Sequence, residues 1–276
     1  MMRRRLLAVI TLLALVMVIP AVVEAAAVGR FTMVEGQVDL LHQGKLPAVP
    51  AKVQDGVEPG DVIRTKSKAK AQVKFVDDSI ITMAPESRMA VADFVYDGAR
   101  GYRRAVLRHF RGLLHAVVTQ LIKVQEPEFI IETQTAVLGV RGTKGFSLQG
   151  PNSSMHFCTQ GIWQGQSRNL RFPEVFLLHM GDYAEFPMDK PPILGRFTPD
   201  MLEMLRKMMD TGVRDGALLG GLPLITGGEG RPEWTPSREP MTQPIIPRTL
   251  EPSLRPPPPS TGGSGQPSGP SYSPGM

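Results

Sequence analysis

The sequence predicts an all-β domain, either a twisted β-solenoid or a sandwich, followed by one C-terminal helix and a disordered tail. Three observations carry that expectation. Short apolar segments between Phe31 and Phe186 are separated by turn residues at near-regular intervals, one of them alternates strictly, and Pro and Gly dominate beyond Gly212.

The first element in order is a leader. Met1-Met2-Arg3-Arg4-Arg5 precedes an uninterrupted apolar run from Leu6 to Ile19, a positive region feeding a hydrophobic one. Pro20 breaks the run, and Val23-Glu24-Ala25 or Ala25-Ala26-Ala27 sets small residues where a signal peptidase needs them. Residues 1–25 are therefore expected to be a signal peptide, cleaved after Ala25 or Ala27, that delivers a periplasmic or otherwise extracytoplasmic protein with no membrane span after cleavage. The competing reading is an uncleaved anchor, because the run extended to Val23 approaches the ~20 apolar residues that cross a bilayer. Its arginines would hold the start inside. No Cys follows the hydrophobic run, so no lipid-modified terminus is expected.

Composition narrows the classes. The 276 residues suit one ordinary domain plus extensions, and 42% hydrophobic content supports a real core. The single Cys158 cannot form an internal disulfide, so packing must hold the domain together in an oxidising compartment. The pI of 9.5 invites a nucleic-acid reading. The leader, however, carries +2 of the formal +5, and the +3 that remains is an ordinary surface. No nucleic acid is expected as partner.

The β domain is expected over residues 28–196. Turn signals fall at Gln43-Gly44, Asp55-Gly56, Pro59-Gly60-Asp61, Asp77-Asp78-Ser79, Pro85 and Asp97-Gly98. The clearest strand is Lys68 to Val76, where Ala69, Ala71, Val73 and Phe75 alternate with Lys68, Lys70, Gln72 and Lys74. One face belongs to the core. The lysine face reads as a solvated row whose charges discourage edge-to-edge pairing, with docking of an anionic polymer as the alternative. Arg104 to Leu121 resists assignment. Leu107, Phe110, Leu114, Val117, Val118 and Leu121 recur at helical steps, yet Gly112 and the β-branched Val117-Val118-Thr119 lower helix propensity. A basic amphipathic helix and a strand pair bent at Gly112 both stay open.

A helix is expected over residues 197–212, with Thr198 as N-cap, Pro199 at the first helical position, and Met201, Leu202, Leu205, Met208 and Met209 as one apolar stripe packed on the β domain. Residues 213–276 are expected to be a disordered Pro/Gly-rich tail, since so few apolar residues cannot offset the entropy of ordering.

Groupings that carry chemistry are absent from the motif level. His42, His109, His115, His156 and His179 show no zinc-protease spacing, and there is no Gly-x-Ser-x-Gly, phosphate-binding Gly loop or paired-cysteine site. His156 and Cys158 would share a strand face, but a third ligand or orienting carboxylate is missing nearby in sequence. No catalytic, cofactor-binding or metal-binding residue, and no cofactor, is expected.

Two stretches are more specific. One runs Pro59-Gly60-Asp61-Val62-Ile63-Arg64-Thr65, passes through the alternating strand to Asp77-Asp78-Ser79, and reaches Pro85-Glu86-Ser87. The other is Thr133 to Thr143, with Gly139-Val140-Arg141-Gly142-Thr143 at its end. With Gly36-Gln37-Val38 upstream, the chain resembles the FecR-domain family over roughly Val28 to Thr143. The structural motif residues are then Gly60, Asp61, Asp77, Asp78, Ser79, Pro85, Ser87, Gly139, Arg141, Gly142 and Thr143. The physical reading of these residues agrees. Gly, Asp and Ser suit tight turns, and Gly139 and Gly142 allow a bend or close approach around Arg141. An enclosed Arg141 would need a partner, with Asp61, Asp77 and Asp78 the first carboxylates to examine. Asp78 stands where the family commonly has Gly. Met180-Gly181-Asp182 echoes the Gly60-Asp61 turn.

The resemblance implies an extracytoplasmic β domain of the kind found in signal-transducing regulators and envelope proteins. The regulators carry a cytoplasmic domain before their membrane span, whereas five residues precede the apolar run here, so a direct anti-sigma role is not expected. The expected function is a non-catalytic envelope binding or scaffold module that meets an envelope protein or polymer. The alternative is a sensory component acting with separate membrane partners.

Overall fold

The computed structural model describes residues 26–121 and 129–213. The expected signal peptide and the expected tail from residue 214 onward lie outside the described residues. Among the described residues, fifteen strands join one open hydrogen-bonded sheet, and a single α-helix follows them.

The strands fall into two runs that meet at one long strand. β1 (Gly29–Glu35) pairs with β4 (Gly56–Val57) and with β6 (Lys70–Phe75), and β7 (Ile80–Met83) lies on the other side of β6. β2 (Val38–Leu41) is flanked by β3 (Val49–Pro50) and β5 (Val62–Thr65), and β5 leads to β8 (Arg88–Asp97). β9 (Tyr102–Val118) takes β8 along its first part and β7 along its last. β10 (Phe129–Glu132) runs parallel to β9 and antiparallel to β11 (Ala136–Gln149). β12 (Ser153–Ser167) follows, with β13 (Val175–His179) and β14 (Asp182–Pro187) on its two halves and β15 (Ile193–Arg196) beyond β14.

β9 does not run straight. Ala105 faces Phe129, which faces Val140, while Val118 pairs with Thr143, only three residues further along β11. The stretch from 105 to 118 would cover about 43 Å if extended, so β9 must curl to bring its ends together. The bend falls at Gly112, whose φ is +91°. A Cβ there would lie 2.3 Å from Ser87 Oγ, so no other residue fits. β11 and β12 bend likewise at Gly142 (φ +58°) and Gly161 (φ +80°). These two bends nest, since a Cβ on Gly161 would meet the Thr143 methyl at 2.7 Å.

The ambiguous segment is thus strand, and its helical spacing has a structural origin. Arg103, Ala105, Leu107 and His109 point inward on odd numbers, whereas Leu114, Ala116 and Val118 do so on even ones. The phase flips at a bulge, where Arg88 faces Arg111 but Met89 faces His109. Two period-two patterns in opposite phase imitate steps of three and four.

The main core is filled by residues such as Phe31, Ile63, Phe75, Ile81, Leu107, Phe129, Ile131 and Trp163. A second cluster of Leu113, Phe146, Leu148, Met155 and Phe157 is covered by Met201 and Leu205 of helix α1 (Pro199–Thr211). The helix starts as its sequence requires, with Thr198 Oγ1 accepting from Met201 N at 3.3 Å and Pro199 at the first position. Ala69, Ala71, Val73 and Phe75 are buried as the alternation demands. The lysine row is another matter. β6 lies between β1 and β7, so its charges protect no edge. Lys70 instead pairs with Asp210 of α1 and Lys74 with Asp78 at 2.8 Å.

Candidate functional site

The motif residues are turn and junction builders. Gly60 has φ +92° in the turn Glu58–Asp61, the left-handed value a turn of this kind needs after Pro59. The buried Asp61 carboxylate closes that turn by accepting from Glu58 N and Gln43 N, each at 3.0 Å. The echo at Met180-Gly181-Asp182 is geometric as well: Gly181 has φ +95°, and Asp182 Oδ2 accepts from His179 N at 2.9 Å. Thr65 Oγ1 donates to Ala84 O at 2.7 Å and accepts from Ser87 N at 2.9 Å. Ser87 Oγ in turn accepts from Leu113 N at 3.1 Å, next to the Gly112 bend. Pro85 is buried against the end of α1, where a Cβ on Gly212 would lie 3.1 Å from the proline ring.

Asp77 and Ser79 explain how the curl of β9 is held. Asp77 Oδ2 binds Arg103 Nη1 at 2.8 Å, and Ser79 Oγ donates to the same oxygen at 2.7 Å. Arg103 Nη1 also donates to Thr119 O at 2.9 Å, and Ser79 Oγ accepts from Thr119 N at 3.1 Å. One buried cluster therefore ties the start of β9 to the residue just past its end. The guanidinium sits 5.3 Å from the centre of the Phe129 ring. Asp78 takes φ +64° and stays exposed, which accounts for its acceptance where the family has Gly.

The enclosed arginine is Arg103, with 3% of its side chain exposed. Arg141 is half-buried on β11. Asp77 serves Arg103, Asp61 serves backbone amides, and Asp78 serves Lys74. Gly139 carries no bend, being in regular register between Ile130 and Gln164. Gly142 carries it alone, and Thr143 is buried beside it. Arg103 was legible only with the strand phase in hand, as the odd-numbered partner of Ala105 and Leu107.

A polar seam runs through the interior beside these bends. His109 Nε2 donates to Arg111 O at 3.1 Å, so Nδ1 accepts from Ser147 Oγ at 3.0 Å. His156 Nε2 meets Ser154 Oγ at 2.9 Å, which continues to Thr135 Oγ1 at 2.7 Å and Thr133 Oγ1 at 3.2 Å. Burial pushes His109 down to about 3, and burial with the neighbouring His109 pushes His156 well below the usual imidazole value. Both rings are neutral. Burial pushes the Cys158 thiol up to about 11, and its Sγ donates to Gly161 O at 3.3 Å. His156 and Cys158 share the strand as expected but engage different partners. Among the described residues, no group of three His, Cys, Asp or Glu converges on a metal position.

The outer surface carries the feature that sequence reading missed. Asp39, Arg64, Arg88 and Arg111 are register partners in turn across β2, β5, β8 and β9. Three guanidiniums stand side by side at adjacent-strand spacing, an arrangement that like-charge repulsion disfavours. Asp39 offsets part of it, holding Arg64 Nη2 at 2.9 Å and Lys66 Nζ at 3.1 Å. Burial would raise the Asp39 carboxyl, but Lys66 and Arg64 outweigh it and keep it below the ordinary carboxylate value. Arg88 lies over the Phe110 ring at 5.0 Å. Arg64, Lys66, Arg88 and Arg111 line a groove of about 510 Å³ in which Glu86 is the one lining carboxylate among the described residues. Planar guanidiniums suit carboxylate and phosphate groups. The row is a strip of positive charge along the groove.

Fold and site together define an all-β domain held by interlocked turns, with a basic groove across its outer face. Its motif-bearing portion is a FecR domain, for the family model described as FecR protein matches residues 61–161. No curated protein matches the chain. Two crystal structures of a candidate anti-sigma factor from Parabacteroides distasonis are similar, with TM-scores of 0.42 and 0.41 and 13% identity. Each alignment covers 51% of this chain and 62% of the solved one, so the chain spans less than two thirds of those structures.

Proposed function

We propose that this chain is a non-catalytic binding module of the cell envelope, which captures an anionic ligand on the arginine groove of β2, β5, β8 and β9. The observation that carries the reading is the register Asp39–Arg64–Arg88–Arg111, three cations in line with one carboxylate at the end. Guanidiniums set side by side on neighbouring strands present a positive, planar face that suits carboxylate or phosphate groups. The non-catalytic part is supported by the burial of the Ser–His contacts, since the side chains of Ser147, Ser154, His109 and His156 are almost wholly enclosed.

Titration of polygalacturonate into the full exported chain tests the proposal. Binding should weaken with salt, and Arg64→Ala and Arg88→Ala should each weaken it about tenfold, as loss of one charge-assisted hydrogen bond implies. Absence of binding, or unchanged binding in both variants, overturns it.

The FecR match at residues 61–161 favours a second reading, a signal-transduction component working with separate membrane partners. Crosslinking in intact cells separates the two. Capture of a transmembrane signalling protein supports the sensory reading, and capture of wall or outer-membrane components supports the binding module.

A further inference from the structure

We infer that the arginine groove continues past Phe110 into a second basic basin, and that the two form one track for a linear acidic polysaccharide. The inference rests on the anion-binding reading above and names the ligand's class. The second basin, about 450 Å³, is lined by Arg108, Phe110, Glu132, Thr133 and Arg168 among others. Phe110 joins the two spaces, because it lines the second basin while Arg88 of the first lies 5.0 Å above its ring. The β9 bulge makes this junction. It leaves Phe110 without a partner on β8, so that Arg108, Phe110 and Arg111 all reach the outer surface from four consecutive positions.

Both basins are built alike. Asp39 holds Arg64 and Lys66, and Glu132 holds Arg108 at 2.9 Å and Arg168 at 3.9 Å. In each, one carboxylate positions two cations, and Glu86 adds a second carboxylate to the first, which still holds Arg64, Lys66, Arg88 and Arg111. Arg88 stands between the pairs, and Arg111 lines the groove beside it. From β2 through β5, β8 and β9 to β10 the track crosses four strand intervals, about 19 Å at the usual spacing. A small anion would engage one basin. A chain with a charge on every repeat engages both.

The character of the lining separates polysaccharide from nucleic acid. Single-stranded nucleic acid is held through bases stacked on aromatic rings. Among the described residues lining the two basins the aromatic rings are Phe110, of which Arg88 already covers a face, and His109, whose side chain is buried. Gln37, Ser67 and Gln134 supply hydrogen-bonding groups along the walls instead, as hydroxyl-rich sugars require.

Calorimetric titration of di-, tetra- and octagalacturonate into the full exported chain tests the track. Affinity should rise more than about tenfold from dimer to octamer, because the second basin is then engaged at high effective concentration. Arg168→Ala and Arg168→Glu, at an exposed position, should weaken the octamer about three- to tenfold while leaving the dimer unchanged. Equal affinity for dimer and octamer, or an octamer indifferent to both variants yet lost in Arg64→Ala, overturns the track and leaves a one-basin site. Tighter binding of a single-stranded oligonucleotide of equal charge overturns the polysaccharide assignment. Failure of every oligomer to bind overturns the anion-binding reading itself.

Discussion

Arg103 and Arg88 lie on neighbouring strands and meet opposite fates. Arg103 points inward, with 3% of its side chain exposed, and holds Asp77, Thr119 and the Phe129 face at once. Arg88 points outward and stands beside Arg64 and Arg111, with a ring beneath it. The difference teaches that a guanidinium stabilises this fold where it joins segments that the chain must bring together. In the outer row Arg88 joins no distant segments and stands beside like charges.

Arg103→Ala should be the most damaging single change. It leaves the Asp77 carboxylate buried without its cation and unties the start of β9 from Thr119, so stability should fall by about 3–5 kcal/mol in urea denaturation. Arg103→Lys should recover little, since a point charge cannot serve Asp77 and Thr119 as the planar group does. Arg141→Ala, at a half-buried position on β11, should cost markedly less than Arg103→Ala. Equal losses at the two positions would erase the distinction between them.

Acid should act on the interior before it acts on the outer row. His109 stays neutral in the fold down to about 3, whereas the unfolded chain takes up a proton near the ordinary 6.5. Between those values the unfolded state binds more protons, so stability is complete above about 6.5 and falls as the pH drops. His156 is shifted in the same direction. Well below 6.5 each histidine should contribute a slope of about 1.4 kcal/mol per pH unit. Asp39, held below its ordinary 3.8, matters only under still more acidic conditions. Urea melts from pH 7 to pH 4.5 should show the fall, and His109→Asn should flatten it by about one proton. An unchanged slope in that variant would mean that His109 is protonated in the native state.

Much of the fold could be read along the chain, because a strand writes its burial in a period of two. Lys68 to Val76 declared its buried face, Thr198-Pro199 declared the helix start, and Gly60-Asp61 declared a turn. What failed to show was anything that depends on register between strands. The bulge at Phe110 flipped the phase of β9 and made a strand look helical. The same hidden phase conceals Arg103, whereas Arg141 stands beside conspicuous glycines. The arginine row is invisible for a stronger reason. Residues 39, 64, 88 and 111 are separated by more than twenty positions each and become neighbours only through three pairings. The lysines of β6, conspicuous in sequence, are partly occupied by Asp210 and Asp78.

Arg88→Ala is the smallest expected change in stability and the sharpest test of the contrast. The side chain is exposed, its register neighbours are both arginines, and its one favourable contact is the Phe110 ring. Exposed cation–π contacts contribute about 0.5–1 kcal/mol, and a like charge directly opposite on a neighbouring strand costs a similar few tenths to 1 kcal/mol. The two nearly cancel, so the melting curve of Arg88→Ala should stay within about 0.5 kcal/mol of the parent. Raising the salt concentration should then stabilise the parent more than the variant, because screening relieves a repulsion that only the parent retains. Lys74→Ala provides the reference. It removes an exposed ion pair with Asp78 and should cost no more than about 0.5 kcal/mol, with salt reducing even that. The two substitutions should therefore respond to salt in opposite senses: the gap between parent and Lys74→Ala should close as salt rises, whereas the parent should gain on Arg88→Ala. If Arg88→Ala instead destabilises by 2 kcal/mol or more, a threshold taken from the larger core-like losses, the outer row is part of the framework. Its arginines would then be structural rather than reserved for a ligand.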